Sequence, residues 1–331
     1  MSTHNSKTNS NEHEAPHHAG AKLLLETASS ICSGNPRLAK DEDYASEILS
    51  AWKSDVNARM HTTLTSIAKP IVYRDANDSP LYGYLYRPSH NNQDVPIKNL
   101  PGLIIFHTGA GPQDIFLRWK ADTLVTDTET FPNGVVVLIA DILGDETGWA
   151  WDTDRSRYEK IASILLVPDE NGERNMLQSR VRAVVETLRI QPDVDPTRIG
   201  IVGFCLGGHP ILELGRMPDI SVKAMVSFHG VFVSVHKFQM TEADAKNDST
   251  CQVLICTGKD DPFVPKEDVI AAKDLFERLG HHCTTISFED TKHGFTNPAQ
   301  RFNTNPAFDF NEDSYRSAWT AMCNVLKDAL T

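Results

Sequence analysis

A chain of 331 residues with 40% apolar and 23% charged residues has the balance of a globular protein, with room for one large domain with additions or two ordinary ones. The net charge of −12 argues against binding nucleic acid through its phosphates. No run of about 18 apolar residues offers a membrane span, and the opening residues read as neither a secretory nor an organelle signal, so neither nucleic acid nor a membrane is an expected partner.

Residues 1–20 are rich in Ser, Asn and His and read as a disordered tail. His13-Glu14-Ala15-Pro16-His17 fits H-E-x-x-H in letters. Pro16 interrupts the helix that would bring both histidines to one face, so no metal and no cofactor are expected. Residues 21–65 read as a helical extension, with Tyr44, Ile48, Trp52, Val56 and Met60 forming a stripe of period four. Packing on the main domain is the preferred role of that stripe; a homodimer contact or a lid is the alternative.

From residue 66 to 331 the pattern predicts one α/β domain. Ile71–Tyr73 and Leu81–Tyr86 flank a turn at Ala76–Pro80 and read as a hairpin. Apolar runs follow at Leu103–Phe106, Val135–Ala140, Ile199–Phe204, Ala224–Phe228, Val253–Cys256 and Thr285–Phe288. Helical stripes appear around Leu177–Leu188, Val269–Leu279 and Tyr315–Leu326. Short apolar strands alternating with amphipathic helices predict a mostly parallel sheet covered on both faces. The six cysteines form no C-x-x-C pair, and several lie in apolar runs, which predicts a reduced, cytoplasmic chain without disulfides.

Gly203-Phe204-Cys205-Leu206-Gly207-Gly208 lies between a strand and a helix expected to begin near Gly207. This is the strand–turn–helix setting of a G-x-S-x-G nucleophile elbow with cysteine in the serine position. The glycines leave room for a strained turn, and the following helix N-terminus favours thiolate. No G-x-S-x-G occurs elsewhere, so Cys205 is the expected nucleophile. The alternative is a structural cysteine in a glycine-rich turn.

Acid and base should follow in chain order at later strand ends. Gly258-Lys259-Asp260-Asp261-Pro262 offers two carboxylates, of which Asp261 is preferred because an Asp-Pro turn suits a strand-end acid. Thr291-Lys292-His293-Gly294-Phe295 offers the base, His293. His229 precedes both acids and is assigned to the pocket lining or to support of the site; His281 and His282 are expected to face solvent. The oxyanion hole should comprise the backbone N–H of Leu206 and one from the loop His107–Pro112, assigned to Gly109.

On these residues the chain resembles the dienelactone hydrolase family of α/β-hydrolases over roughly residues 66–331. The resemblance rests on His107–Pro112, Ala140–Asp145, Val194–Ile199, Gly203–Gly208, Gly258–Pro265 and His293–Phe295. It implies an α/β-hydrolase fold, a triad at Cys205, Asp261 and His293, and hydrolysis of a cyclic enol ester. Two departures stand out. Many members carry a Glu in the first loop that meets the cysteine, where this chain has Thr108; Thr108 is therefore expected to donate a hydrogen bond to the thiolate. Members acting on dienelactone use arginines to grip a carboxylate, one shortly after the base, where Thr296, Asn297 and Pro298 follow instead. Arg155 and Arg157, in the expected cap region, are the substitutes, and Thr108, Arg155, Arg157 and His229 are the expected substrate-binding residues. The function implied is cleavage of a small-molecule lactone, activated ester or thioester. A binding or scaffold protein that kept the fold, or a carbon–halogen hydrolase, is the alternative; the latter normally needs an Asp where Cys205 stands.

Overall fold

The computed structural model describes residues 64–90, 97–144, 156–238, 250–303 and 305–331. The expected tail, nearly all of the helical extension and Arg155 lie outside the described residues.

Among the described residues, eight strands form one sheet: β1 (Leu64–Arg74), β2 (Pro80–His90), β3 (Leu100–Phe106), β4 (Val136–Ala140), β5 (Val194–Phe204), β6 (Ala224–Phe228), β7 (Gln252–Gly258) and β8 (His282–Phe288). Their order is β1-β2-β4-β3-β5-β6-β7-β8. β1 and β2 are the expected hairpin, antiparallel throughout, and β2 meets β4 antiparallel; the remaining pairs are parallel. β1 begins at Leu64, two residues ahead of the domain boundary read from the sequence.

Among the described residues, six helices cover the sheet: α1 (Ile115–Thr126), α2 (Ser156–Leu165), α3 (Asn175–Arg189), α4 (Gly208–Arg216), α5 (Lys266–Arg278) and α6 (Glu312–Leu330). The period-two side-chain alternation of a strand sorts its residues between two cores. Ile104 and Phe106 of β3 join Leu177, Val181, Ile211 and Phe276 on one face, while Leu103 and Ile105 join Leu117, Leu124, Met322 and Leu326 on the other. Each such fully buried aliphatic side chain contributes about 1.5–3 kcal/mol. With both faces covered, β3 is buried at every residue, which is why it reads as an unbroken apolar run.

The parallel strands all end on one edge. The loops after β3, β5, β6, β7 and β8, five consecutive neighbours in the sheet, therefore open side by side, and they carry Gly109, Cys205, His229, Asp261 and His293 respectively.

Candidate active site

β5 ends at Phe204, and Cys205 sits at φ +53° before a single 3₁₀ turn, Cys205–Gly207, that runs into α4. A left-handed non-glycine residue costs about 1–2 kcal/mol. The surrounding backbone holds it there: Val231 N donates to Cys205 O at 2.9 Å. The flanking glycines are sterically required. A Cβ on Gly203 would stand 2.5 Å from the carbonyl oxygen of Gly207, and one on Gly207 would stand 2.8 Å from that of Phe106. Cys205 is partly exposed.

Asp261 follows β7 in a tight turn and is buried, whereas Asp260 faces solvent. Asp261 Oδ1 accepts from the N–H of Phe263 at 2.9 Å, which leaves Oδ2 facing His293 Nδ1 at 2.7 Å. The loop after β8 is pinned to the segment before α6. His293 N donates to Ala307 O at 3.1 Å and Asp309 N to His293 O at 3.2 Å. Around the buried imidazole stand Phe263, Phe308 and His229, with ring centroids at 5.0, 5.2 and 4.9 Å. With Nδ1 committed to Asp261, Nε2 is the nitrogen left for the hydrogen bond with Cys205.

Charges and hydrogen bonds within this group shift the thiol and the imidazole in opposite directions. Burial pushes the Cys205 thiol up, but the charge and hydrogen bond of His293, with the N–H groups of Gly109 and Leu206, bring it below its ordinary value. Burial pulls His293 down, and the facing thiolate and Asp261 outweigh it, raising the imidazole to about 10. Both shifts favour the charged forms, thiolate on Cys205 and imidazolium on His293. Cys251, Cys256 and Cys283 lack such partners, and burial pushes each up to about 12.

Gly109 and Leu206, the two residues expected to supply backbone donors, both direct their N–H groups at Cys205. Other expectations need correction. Thr108 accepts from Ala110 N at 3.1 Å and donates to Asp114 Oδ2 at 3.4 Å. A hydroxyl has one proton to donate, and here it is directed at Asp114 rather than at the thiolate. His229 is 2% exposed, with Nε2 against Thr296 Oγ1 at 3.0 Å, so its ring flanks His293 and offers no surface to a substrate. Arg157 falls in α2, but its side chain, like all of Arg155, is outside the described residues. His281, expected in solvent, is buried with Nε2 on Gly215 O at 3.1 Å; His282 is exposed as expected. Sequence reasoning missed Asp114, which caps α1, and Lys120, a buried charge within it. The one signal was the ionisable residues inside the otherwise apolar Ile115–Thr126 segment.

Among the described residues, no helix is long and apolar enough to cross a membrane. The dienelactone hydrolase family profile matches residues 82–330. The chain is similar to an uncharacterized protein of Caenorhabditis elegans, 27% identical over 164 residues that cover 50% of this chain and 99% of that protein. Two solved structures are similar over 81% of this chain and 100% of their own. One is m3DLH, 27% identical with a TM-score of 0.66, and the other is a dienelactone hydrolase-like promiscuous phosphotriesterase from metagenomic libraries, 25% identical with a TM-score of 0.64. An acylaminoacyl peptidase of Pyrococcus horikoshii and an esterase of Pyrobaculum calidifontis share the fold at TM-scores of 0.52 and 0.51. With the family profile spanning most of the domain, this chain is an α/β-hydrolase that belongs to the dienelactone hydrolase family.

Proposed function

We propose that this protein hydrolyses a lactone, activated ester or thioester through a Cys205–His293–Asp261 triad and a thioester acyl-enzyme. The observation that carries the reading is the chain of contacts from Asp261 Oδ2 through His293 to a Cys205 whose thiol is depressed below its ordinary value.

In this mechanism the Cys205 thiolate attacks the substrate carbonyl carbon, forming the C–S bond while the C=O π pair moves onto oxygen. The N–H groups of Leu206 and Gly109, which point at Sγ in the resting site, receive that oxyanion. The C–O or C–S bond to the leaving group then breaks as His293 Nε2 hands over its proton. Water, deprotonated by the now neutral His293, attacks the thioester. Collapse of the second tetrahedral intermediate releases the acid and returns the thiolate–imidazolium pair. Asp261 holds the imidazole orientation and stabilises its cation throughout.

Esters of neutral acids suit this site better than dienelactone itself, because Thr296 stands in the loop position where the resemblance implies a carboxylate-gripping arginine, and its backbone and hydroxyl are bound internally. The phosphotriester activity in the metagenomic relative's name makes a triester worth including in a substrate panel. That panel, run on wild type and Cys205→Ala, is the test. A pre-steady-state burst with a p-nitrophenyl ester in wild type and none in the folded variant is expected; equal turnover by the two would remove Cys205 from the mechanism. A binding protein that merely kept the fold would turn over no member of the panel.

A further inference from the structure

The helix that follows the first loop carries a buried charge that the chemistry above leaves unused. Lys120 of α1 is 6% exposed, and its Nζ donates to the carbonyl of Thr296 at 2.9 Å, with the rings of Phe204 and Tyr315 5.6 and 5.1 Å away. Thr296 lies three residues beyond His293 in the same loop, where Asn297 N closes a turn on Gly294 O at 2.9 Å. The hydroxyl of Thr296 meets His229 Nε2, and the His229 ring stands edge-on to His293. The other end of α1 reaches the first loop. Asp114 caps the helix by accepting from Phe116 N at 2.9 Å, and its second oxygen takes the Thr108 hydroxyl. Thr108 immediately precedes Gly109, whose N–H points at Cys205. One helix is thus tied at its start to the oxyanion loop and, one and a half turns on, to the loop of the base.

Packing alone does not explain a lysine here. A methionine would fill nearly the same volume without a buried ammonium, and burying a charge is unfavourable unless it is paired. Burial brings Lys120 down to about 8, and the charge of Asp114 on the same helix opposes that fall. From the loops after β6 and β8, His229 and His293 face the same region. Burial, then the charges of His293 and Lys120, hold His229 far below its ordinary value, so it stays neutral and does not compete for the proton of His293.

We propose that Lys120 is a positioning residue that clamps the His293 loop to the helix anchoring the oxyanion loop. It thereby fixes where the imidazole stands relative to the Gly109 N–H. The proposal rests on the Cys205–His293 reading given above. A clamp of this kind acts on the reacting geometry more than on substrate affinity, and displacing a catalytic group by about 1 Å can lower a rate by about 100-fold.

The test is Lys120→Met, which keeps side-chain length and removes both the donor and the charge. A fall in kcat of about 10- to 100-fold with KM changed less than about three-fold is expected. The inflection for iodoacetamide alkylation of Cys205 should also rise by about one pH unit, because the thiolate loses a well-placed imidazolium. A folded variant with wild-type kcat and an unmoved inflection overturns the proposal. So does a variant that is only less heat-stable, which would assign the lysine to folding. Should Lys120→Met fail to fold, Thr108→Val severs the tie of the same helix to the oxyanion loop, the hydrogen bond to Asp114, and leaves the lysine in place. It should shift kcat and the inflection in the same directions, and no shift in either overturns the clamp. Loss of activity in Cys205→Ala beside an unaffected Lys120→Met would reject the clamp alone, whereas an active Cys205→Ala would reject the triad reading itself.

Discussion

Replacing Asp261 by asparagine separates orientation from shape. The native carboxylate accepts two hydrogen bonds at once, from Phe263 N at 2.9 Å and from His293 Nδ1 at 2.7 Å. Asparagine offers one acceptor oxygen and one donor NH₂ in nearly the same outline. If the oxygen keeps Phe263, the NH₂ faces Nδ1 and drives the proton to Nε2, where it blocks transfer from the thiol. If the oxygen faces Nδ1, the NH₂ confronts the Phe263 N–H and the turn is disrupted. Both outcomes also remove the charge that supports the imidazolium. A loss of about 10³- to 10⁴-fold in kcat is expected, or about 4–5.5 kcal/mol of transition-state stabilisation. Asp260→Asn, at an exposed side chain one residue away, should stay within about three-fold of wild type. Steady-state hydrolysis of a p-nitrophenyl ester by both variants, with circular dichroism to check folding, is the assay. A loss below about ten-fold in folded Asp261→Asn, or a larger loss in Asp260→Asn, would refute the assignment of the acid.

Four further outcomes follow from the same site. Thiolate is the reactive form and is populated above the lowered Cys205 pKa, so alkylation of Cys205 should persist below the free-thiol value of about 8.5, while Cys251, Cys256 and Cys283, pushed up to about 12, stay unlabelled in the folded protein; peptide mapping after iodoacetamide at several pH values reads this directly. His293 must carry a proton to protonate the leaving group, so ester turnover should decline as pH rises through about 10, and a rate still climbing at pH 11 before the protein unfolds would contradict that role. Thiolate is itself a good leaving group, so enol lactones, aryl esters and thioesters should exceed simple alkyl esters in kcat/KM, and equal rates on ethyl and p-nitrophenyl acetate would count against a cysteine nucleophile. Gly203→Ala, whose Cβ would stand 2.5 Å from the Gly207 carbonyl, should lower stability by at least about 1–3 kcal/mol and abolish activity, as urea unfolding and ester assays would report.

The parts of this molecule legible in its sequence are those whose physics is local. The β3, β4 and β6 runs could be read because both faces of each strand are buried, leaving a single polar residue, Ser227 of β6, among them. α3 could be read because Leu177, Val181, Val184, Val185 and Leu188 form a single buried stripe. Cys205, Asp261 and His293 could be placed because each follows a strand end in the required chain order. α1 escaped because Arg118 and Lys120 occupy its buried side; Arg118 stacks 3.6 Å from the centroid of the Tyr84 ring, and the two charges break the apolar stripe a helix is recognised by. Thr108 was misplaced because its hydroxyl found Asp114, six residues on, once the loop turned into α1. His229 was legible as a strand-end histidine but not as a neighbour of Thr296, 67 residues away, nor could Lys120 be joined to that threonine across 176 residues. Such contacts are created by the sheet order and leave no periodic trace in the chain.

The central claim is that Cys205 becomes acylated during turnover, and trapping that intermediate tests it most directly. The wild-type protein would be mixed with a p-nitrophenyl ester, quenched in acid within the burst, and digested for peptide mass mapping. The account predicts one acyl group on the peptide containing Cys205, labile to hydroxylamine as a thioester, and none in Cys205→Ala. Full turnover without any acyl adduct on Cys205, or an adduct on another residue that persists in Cys205→Ala, would contradict it.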